Sequence, residues 1–153
     1  LGANGNPVLR FQAIEVGETL PLPGGIATPL PAEHEIPTIG WLVEGEWRAL
    51  ALPGGGEPCR SFWQWISSTP SLTDIVCDLA PYFDSSPEET DQICQNFLEK
   101  LQPFLPLLPP NSQMWLHSTR GKTDDILFEK IRAHLSNSFI RAEILRPDSV
   151  MEL

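Results

Sequence analysis

TIGWLVEGEWRALAL, residues 38–52, holds two β-rich runs parted by Glu44-Gly45, and because glycine tolerates the positive φ of a tight turn the stretch predicts a β-hairpin. Its faces are Trp41, Val43, Trp47 and Ala49 against Leu42, Leu50 and Leu52. PGGGEP, residues 53–58, ends the sheet.

Three helices are expected downstream. CRSFWQWISS, residues 59–68, sets Phe62, Trp63 and Ile66 on one short stripe. PSLTDIVCDLAPYF, residues 70–83, places Leu72, Ile75, Val76 and Leu79 at helical spacing, with Pro81 forcing an end near Ala80. SSPEETDQICQNFLEKLQPFL, residues 85–105, opens on a capping box: Ser86, Pro87 at the first position and Glu89. Its buried face is Ile93, Cys94, Phe97, Leu98 and Leu101, and prolines 103, 106, 109 and 110 carry an extended apolar strip after it. The tail reads as strand-helix-strand: QMWLH (113–117), a helix over 123–135 with Leu127, Ile131 and Leu135 inward, and SFIRAEIL (138–145). Two strands joined through one helix pair in parallel with a right-handed crossover.

Upstream, residues 1–37 carry glycine and proline at short intervals, and only VLRFQAIEV (8–16) alternates like a strand. The rest is expected to be loop or extended arm, because proline cannot donate to a ladder.

Among 153 residues the net charge is −10, and all of the excess lies before residue 114. Residues 1–58 offer only Arg10 and Arg48, and residues 59–113 only Arg60 and Lys100. Such a surface repels phosphate backbones and anionic lipid, so neither nucleic acid nor a membrane is expected as a partner. No run approaches the ~18 apolar residues of a membrane span. Cys59, Cys77 and Cys94 lack C-x-x-C spacing; Cys77 and Cys94, among apolar neighbours, are read as core residues in a reducing compartment, and the protein as cytoplasmic. His34, His117 and His134 are scattered, so no metal or cofactor is expected.

HSTRGKTDD, residues 117–125, ends like a phosphate loop at Gly121-Lys122-Thr123. The opening glycine of that motif would fall on Leu116, and Asp124 and Asp125 would repel phosphate. Thr123 as a helix N-cap accounts for the same residues. His117, Arg120 and Lys122 could contact an anion, a solvated polar loop being the commoner case for such a cluster.

The series of hairpin, aromatic helix, Leu72-Thr73-Asp74-Ile75-Val76 with Leu79 and Phe83, then Glu88 or Glu89 and Phe97-Leu98 with Leu101, resembles the PqqD-type winged-helix domains that present peptides to modifying enzymes. The resemblance implies a β-hairpin plus three-helix winged-helix-like core over residues 38–110; with the arm over 1–37 and the C-terminal strand-helix-strand unit over 111–153, both read from the residues themselves, the expected fold is α+β. The resemblance also implies a peptide groove between the hairpin at Trp47, Arg48 and Leu50 and the helix face at Gln92, Asn96 and Lys100. The arm and the tail have no counterpart in that family.

No catalytic set stands in local context: no Ser-His-Asp or Cys-His arrangement, and no carboxylate pair flanked by apolar residues. Five tryptophans exceed the needs of one core, at least three being expected inside it, and aromatic residues anchor interfaces. The expected function is a non-catalytic, acidic protein- or peptide-binding adaptor that acts through a hairpin edge and the adjoining helix. A structural subunit held in a larger complex by its proline-rich arms is the first alternative. A small enzyme with an anion site near residues 117–123 is the second.

Overall fold

The computed structural model describes residues 12–33, 38–54, 59–79, 90–117, 123–136 and 140–145. Among the described residues seven strands form one sheet in sequence order: β1 (Leu20–Leu22), β2 (Gly25–Pro31), β3 (Ile39–Gly45), β4 (Ala49–Leu52), β5 (Asp74–Asp78), β6 (Gln113–His117) and β7 (Arg141–Leu145). Strands β1 to β4 pair antiparallel, and β4 to β7 pair parallel. Each parallel step is made through a helix: α1 (Arg60–Ser67), α2 (Thr90–Leu101) and α3 (Thr123–Leu135). Right-handed crossovers that always step in the same direction set their helices on the same face of a sheet.

That face is the core. Thr28, Leu42, Ala51, Ile75, Met114 and Ala142 are register partners across six strands, and all are buried. Phe62, Trp63 and Ile66 of α1, Cys94, Phe97, Leu98 and Leu101 of α2, and Leu127, Phe128, Ile131 and Leu135 of α3 pack into the same cluster. Burying a side chain of this size contributes about 2 kcal/mol of transfer free energy. Gly40 leaves room for α1, since a Cβ there would stand 2.8 Å from the Leu52 carbonyl oxygen and 3.3 Å from the Phe62 ring.

This sheet overturns the winged-helix expectation of a hairpin plus three-helix core. The deciding segment is LTDIVCDL, read as a helix and found as β5. Its apolar positions fit a helical period, but a short apolar run carries no unique period, and the β-branched pair Ile75-Val76 with both faces covered or half-covered suits a central parallel strand. Without that helix the three-helix core does not exist.

The proline-rich arm is also corrected. Residues 20–31 form the β1–β2 hairpin, which joins the sheet beside β3. The Pro29 carbonyl accepts the Gly17 N–H at 2.9 Å, so the polar groups of Pro29 point away from β3 and its missing N–H costs that ladder nothing. Of the strand expected over 8–16, residues 12–16 are not strand, and the remainder lies outside the described residues. The turn of the 38–52 hairpin falls at Glu46-Trp47, closed by Gly45 N–H donating to the Arg48 carbonyl at 2.8 Å, rather than at Glu44-Gly45. The strip after α2 is not extended: Leu105–Leu107 make a 3-10 turn, and Leu108 is buried in the core. The capping box at residues 86–89 lies outside the described residues.

Among the described residues no helix is long and apolar enough to cross a membrane.

Candidate functional site: the open face of the sheet

Alternation sends every second residue of each strand to the face without helices. Pro29, Trp41 and Leu52 form one row there, Ala27, Val43, Leu50, Asp74, Gln113 and Arg141 another, and Val76, Trp115 and Glu143 a third. Trp41, Val43, Leu52, Val76 and Trp115 are half-buried, and among the described residues no helix covers them.

Asp74 is the polar centre of this face and is wholly buried. Arg48 clamps it at two points, Nη2 to Oδ1 at 2.6 Å and Nε to Oδ2 at 3.0 Å. Trp115 Nε1–H donates to Oδ1 at 2.7 Å, and the Thr73 hydroxyl to Oδ2 at 2.6 Å. Burial pushes the Asp74 carboxyl up, but the hydrogen bonds from Thr73, Trp115 and Arg48 and the Arg48 charge outweigh it and hold the group below its ordinary value. The node sits where the sheet changes sense. β4 and β5 share two register pairs, Leu50 with Asp74 and Ala51 with Ile75, so Arg48 and Thr73 reinforce the shortest seam in the parallel half. Thr73 adds to it by accepting the Ala49 N–H on its hydroxyl at 3.0 Å and donating its own N–H to the Ala49 carbonyl at 3.0 Å.

At the C-terminal ends of β5 and β6 the register partners Asp78 and His117 approach, with Nδ1 3.7 Å from Oδ1 and each side chain about a third exposed. Ligands of parallel sheets bind outside such strand ends. Among the described residues no group of three or more His, Cys, Asp or Glu could hold a metal ion. The three cysteines are buried and unpaired with one another, and burial beside the Asp78 carboxylate pushes the Cys77 thiol up to about 12.

The residues expected to form a peptide groove are not brought together. Trp47 stands 80% exposed at the β3–β4 turn, Arg48 is committed to Asp74, and Leu50 lies on the open face. Gln92, Asn96 and Lys100 lie exposed on α2, across the sheet, where Gln92 Nε2 donates to Asn96 Oδ1 at 2.9 Å. Nor is the hairpin an edge, since β3 lies between β2 and β4, and β4 between β3 and β5. His117 is half-buried at the end of β6; Arg120 and Lys122 lie outside the described residues. Of the five tryptophans only Trp63 is fully buried, so the core takes fewer than expected. Asp74 was missed because a helical reading of TDIVCD lets its carboxylates face solvent, whereas a strand reading puts a charge inside an apolar run and asks for its partner.

No protein-family model matches the chain, and no curated protein is similar to it. Among solved structures it is similar to a novel metallo hydrolase from the hyperthermophilic archaeon Ignicoccus hospitalis, at 12% identity and a TM-score of 0.53 over 89% of this chain. The chain spans 57% of that protein's length. At this identity the likeness concerns the fold alone.

Proposed function

We propose that this chain is a non-catalytic protein-binding module that docks its partner on the open face of the sheet. The observation that carries the reading is the patch of Trp41, Val43, Leu52, Val76 and Trp115, which no helix among the described residues covers, because sheets with parallel strands ordinarily have both faces covered. The face suits a protein partner with an apolar, nearly neutral β-surface. It carries two arginines, 48 and 141, against the carboxylates of Asp74, Asp78 and Glu143, in a chain of net charge −10. Proline-rich arms are weaker anchors, because residues 20–31 and Leu108 are already used by the domain's own sheet and core.

The test compares the isolated chain with the complex recovered from its native source. Indole oxidation of Trp41 and Trp115 is expected to fall several-fold in the complex, and Leu52→Glu with Val76→Glu to release the partner while Gln95→Glu on exposed α2 retains it. Equal oxidation in both samples, or a partner retained by the double variant, overturns the reading. Light scattering identifies a second copy of this chain as the partner if the isolated protein is already dimeric.

The fold likeness and the Asp78–His117 pair favour a second reading, a hydrolase with its centre at the C-terminal ends of β5 and β6. A zinc titration separates the two: stoichiometric binding lost in His117→Ala supports the second.

A further inference from the structure

On the helix side a cleft of about 780 Å³ opens between α1 and the end of α2, a size in the usual range for small-molecule sites. Two aromatic rings line it, Trp63 and Phe104, stacked with ring centroids 5.9 Å apart and planes 17° from parallel; Trp63 is nearly closed over beneath, so half-buried Phe104 presents most of the aromatic surface. Leu107, 56% exposed, forms a rim. Arg60 and Lys100 line the same cleft, together with Glu33.

The placement of charge is what makes the cleft informative. Arg60 and Lys100 are the two basic residues of the whole stretch 59–113, which holds seven acids. They stand forty positions apart, on different helices, and the fold brings both to one apolar cavity. Arg48, the other described cation before residue 114, is committed to Asp74, whereas Arg60 makes no ion pair among the described residues. No acid lies in the first turn of α1 to offset Arg60. Among the described lining residues Arg60 and Lys100 stand against Glu33, one net positive charge, which suits a monoanion better than a phosphate dianion.

We propose that this cleft binds a small amphipathic carboxylate, its aromatic or acyl body against Trp63, Phe104 and Leu107 and its carboxylate between Arg60 and Lys100. The site lies across the sheet from the proposed docking face and stands independently of it. Cationic side chains recognise a carboxylate through charge-assisted hydrogen bonds, and an aromatic wall supplies apolar area with little loss of conformational entropy.

4-Phenylbutyrate serves as the probe, followed by calorimetry and by the indole N–H signal of Trp63 in two-dimensional NMR. Binding should shift the Trp63 signal and be saturable. Arg60→Gln and Lys100→Gln should each weaken binding about tenfold, the size expected for losing one charged hydrogen-bond donor, and the neutral analogue 4-phenylbutyramide should bind about as weakly as to those variants. Lys130→Gln, which removes an exposed cation on α3 that pairs with Asp91, should bind like the unaltered protein. All three substitutions are at exposed positions, and unchanged thermal midpoints confirm that folding is intact. An unshifted Trp63 signal, equal affinity for the amide, or an equal loss in Lys130→Gln overturns the proposal.

Discussion

Ile75 and Val76 are neighbours in one strand and live in different environments. Ile75 points to the helices and is fully buried between Ala51 and Met114, while Val76 points to the open face beside Trp115 and is half-buried. The same contrast runs across the whole sheet. On the helix side the strands offer a nearly continuous apolar layer closed by three helices; on the other side the layer is interrupted by one charged node and, among the described residues, carries no helix. The first face supplies the stability of the isolated chain, and the second is the one on which the proposed docking rests. Apolar area removed from water stabilises in proportion to that area, so a half-covered side chain makes only part of its possible contribution in the isolated chain.

The largest expected effect is on the closed face. Ile75→Ala should cost about 4 kcal/mol, in the range for buried aliphatic truncations, and lower the urea midpoint of the isolated protein accordingly. A cost below 1 kcal/mol would break the contrast between the faces.

Next comes the node at the seam. Asp74→Ala leaves Arg48, the Trp115 indole N–H and the Thr73 hydroxyl without their acceptor, an expected cost of about 3 kcal/mol by urea titration. Asp74→Asn keeps the shape but offers one acceptor oxygen where the carboxylate offers two, so it should fall between the two proteins.

The pH dependence sharpens the same point. The folded carboxyl of Asp74 titrates below its ordinary value, so its contribution is fully present above about pH 4, near the unfolded value, and is lost as pH falls through the lower folded one. Urea midpoints measured from pH 7 down to pH 2.5 should therefore decline more steeply for the unaltered protein than for Asp74→Asn, and parallel curves would show the node to be electrostatically idle.

The smallest effects belong to half-buried and exposed positions. Val76→Thr should change the stability of the isolated chain by no more than about 1 kcal/mol, and Trp47→Ala by about 0.5 kcal/mol or less, because neither position is closed over in the isolated chain. A substantial loss of thermal stability in Trp47→Ala would mean that the β3–β4 turn is held by that ring after all.

Local chemistry alone was enough for several elements. The two strands of the 38–52 hairpin, the stripe of Phe62, Trp63 and Ile66 on α1, the inward residues of α2 from Cys94 to Leu101 and the parallel pairing of β6 with β7 all follow from periodicity and from the handedness of a crossover. These are signals carried within ten or fifteen residues. What lay beyond them was the identity of β5, the recruitment of the proline-rich 20–31 segment into the sheet, and the Asp74 node. A five-residue apolar run is compatible with helix or strand until its neighbours are known, and β5 is a strand because β4 and β6 pair with it on both sides. Pro29 is tolerated in β2 only because its polar groups face outward, toward Gly17, a fact of register rather than of composition. Asp74 is joined to Arg48 and Trp115, 26 and 41 positions away, and Arg60 and Lys100, on different helices, line one cleft. Sequence by itself determined which residues prefer burial and with what local period. Only the tertiary structure decided which face each side chain took and which distant charges met, because register and side-chain pairing are set by the packed neighbours and not by the residue's own stretch of chain.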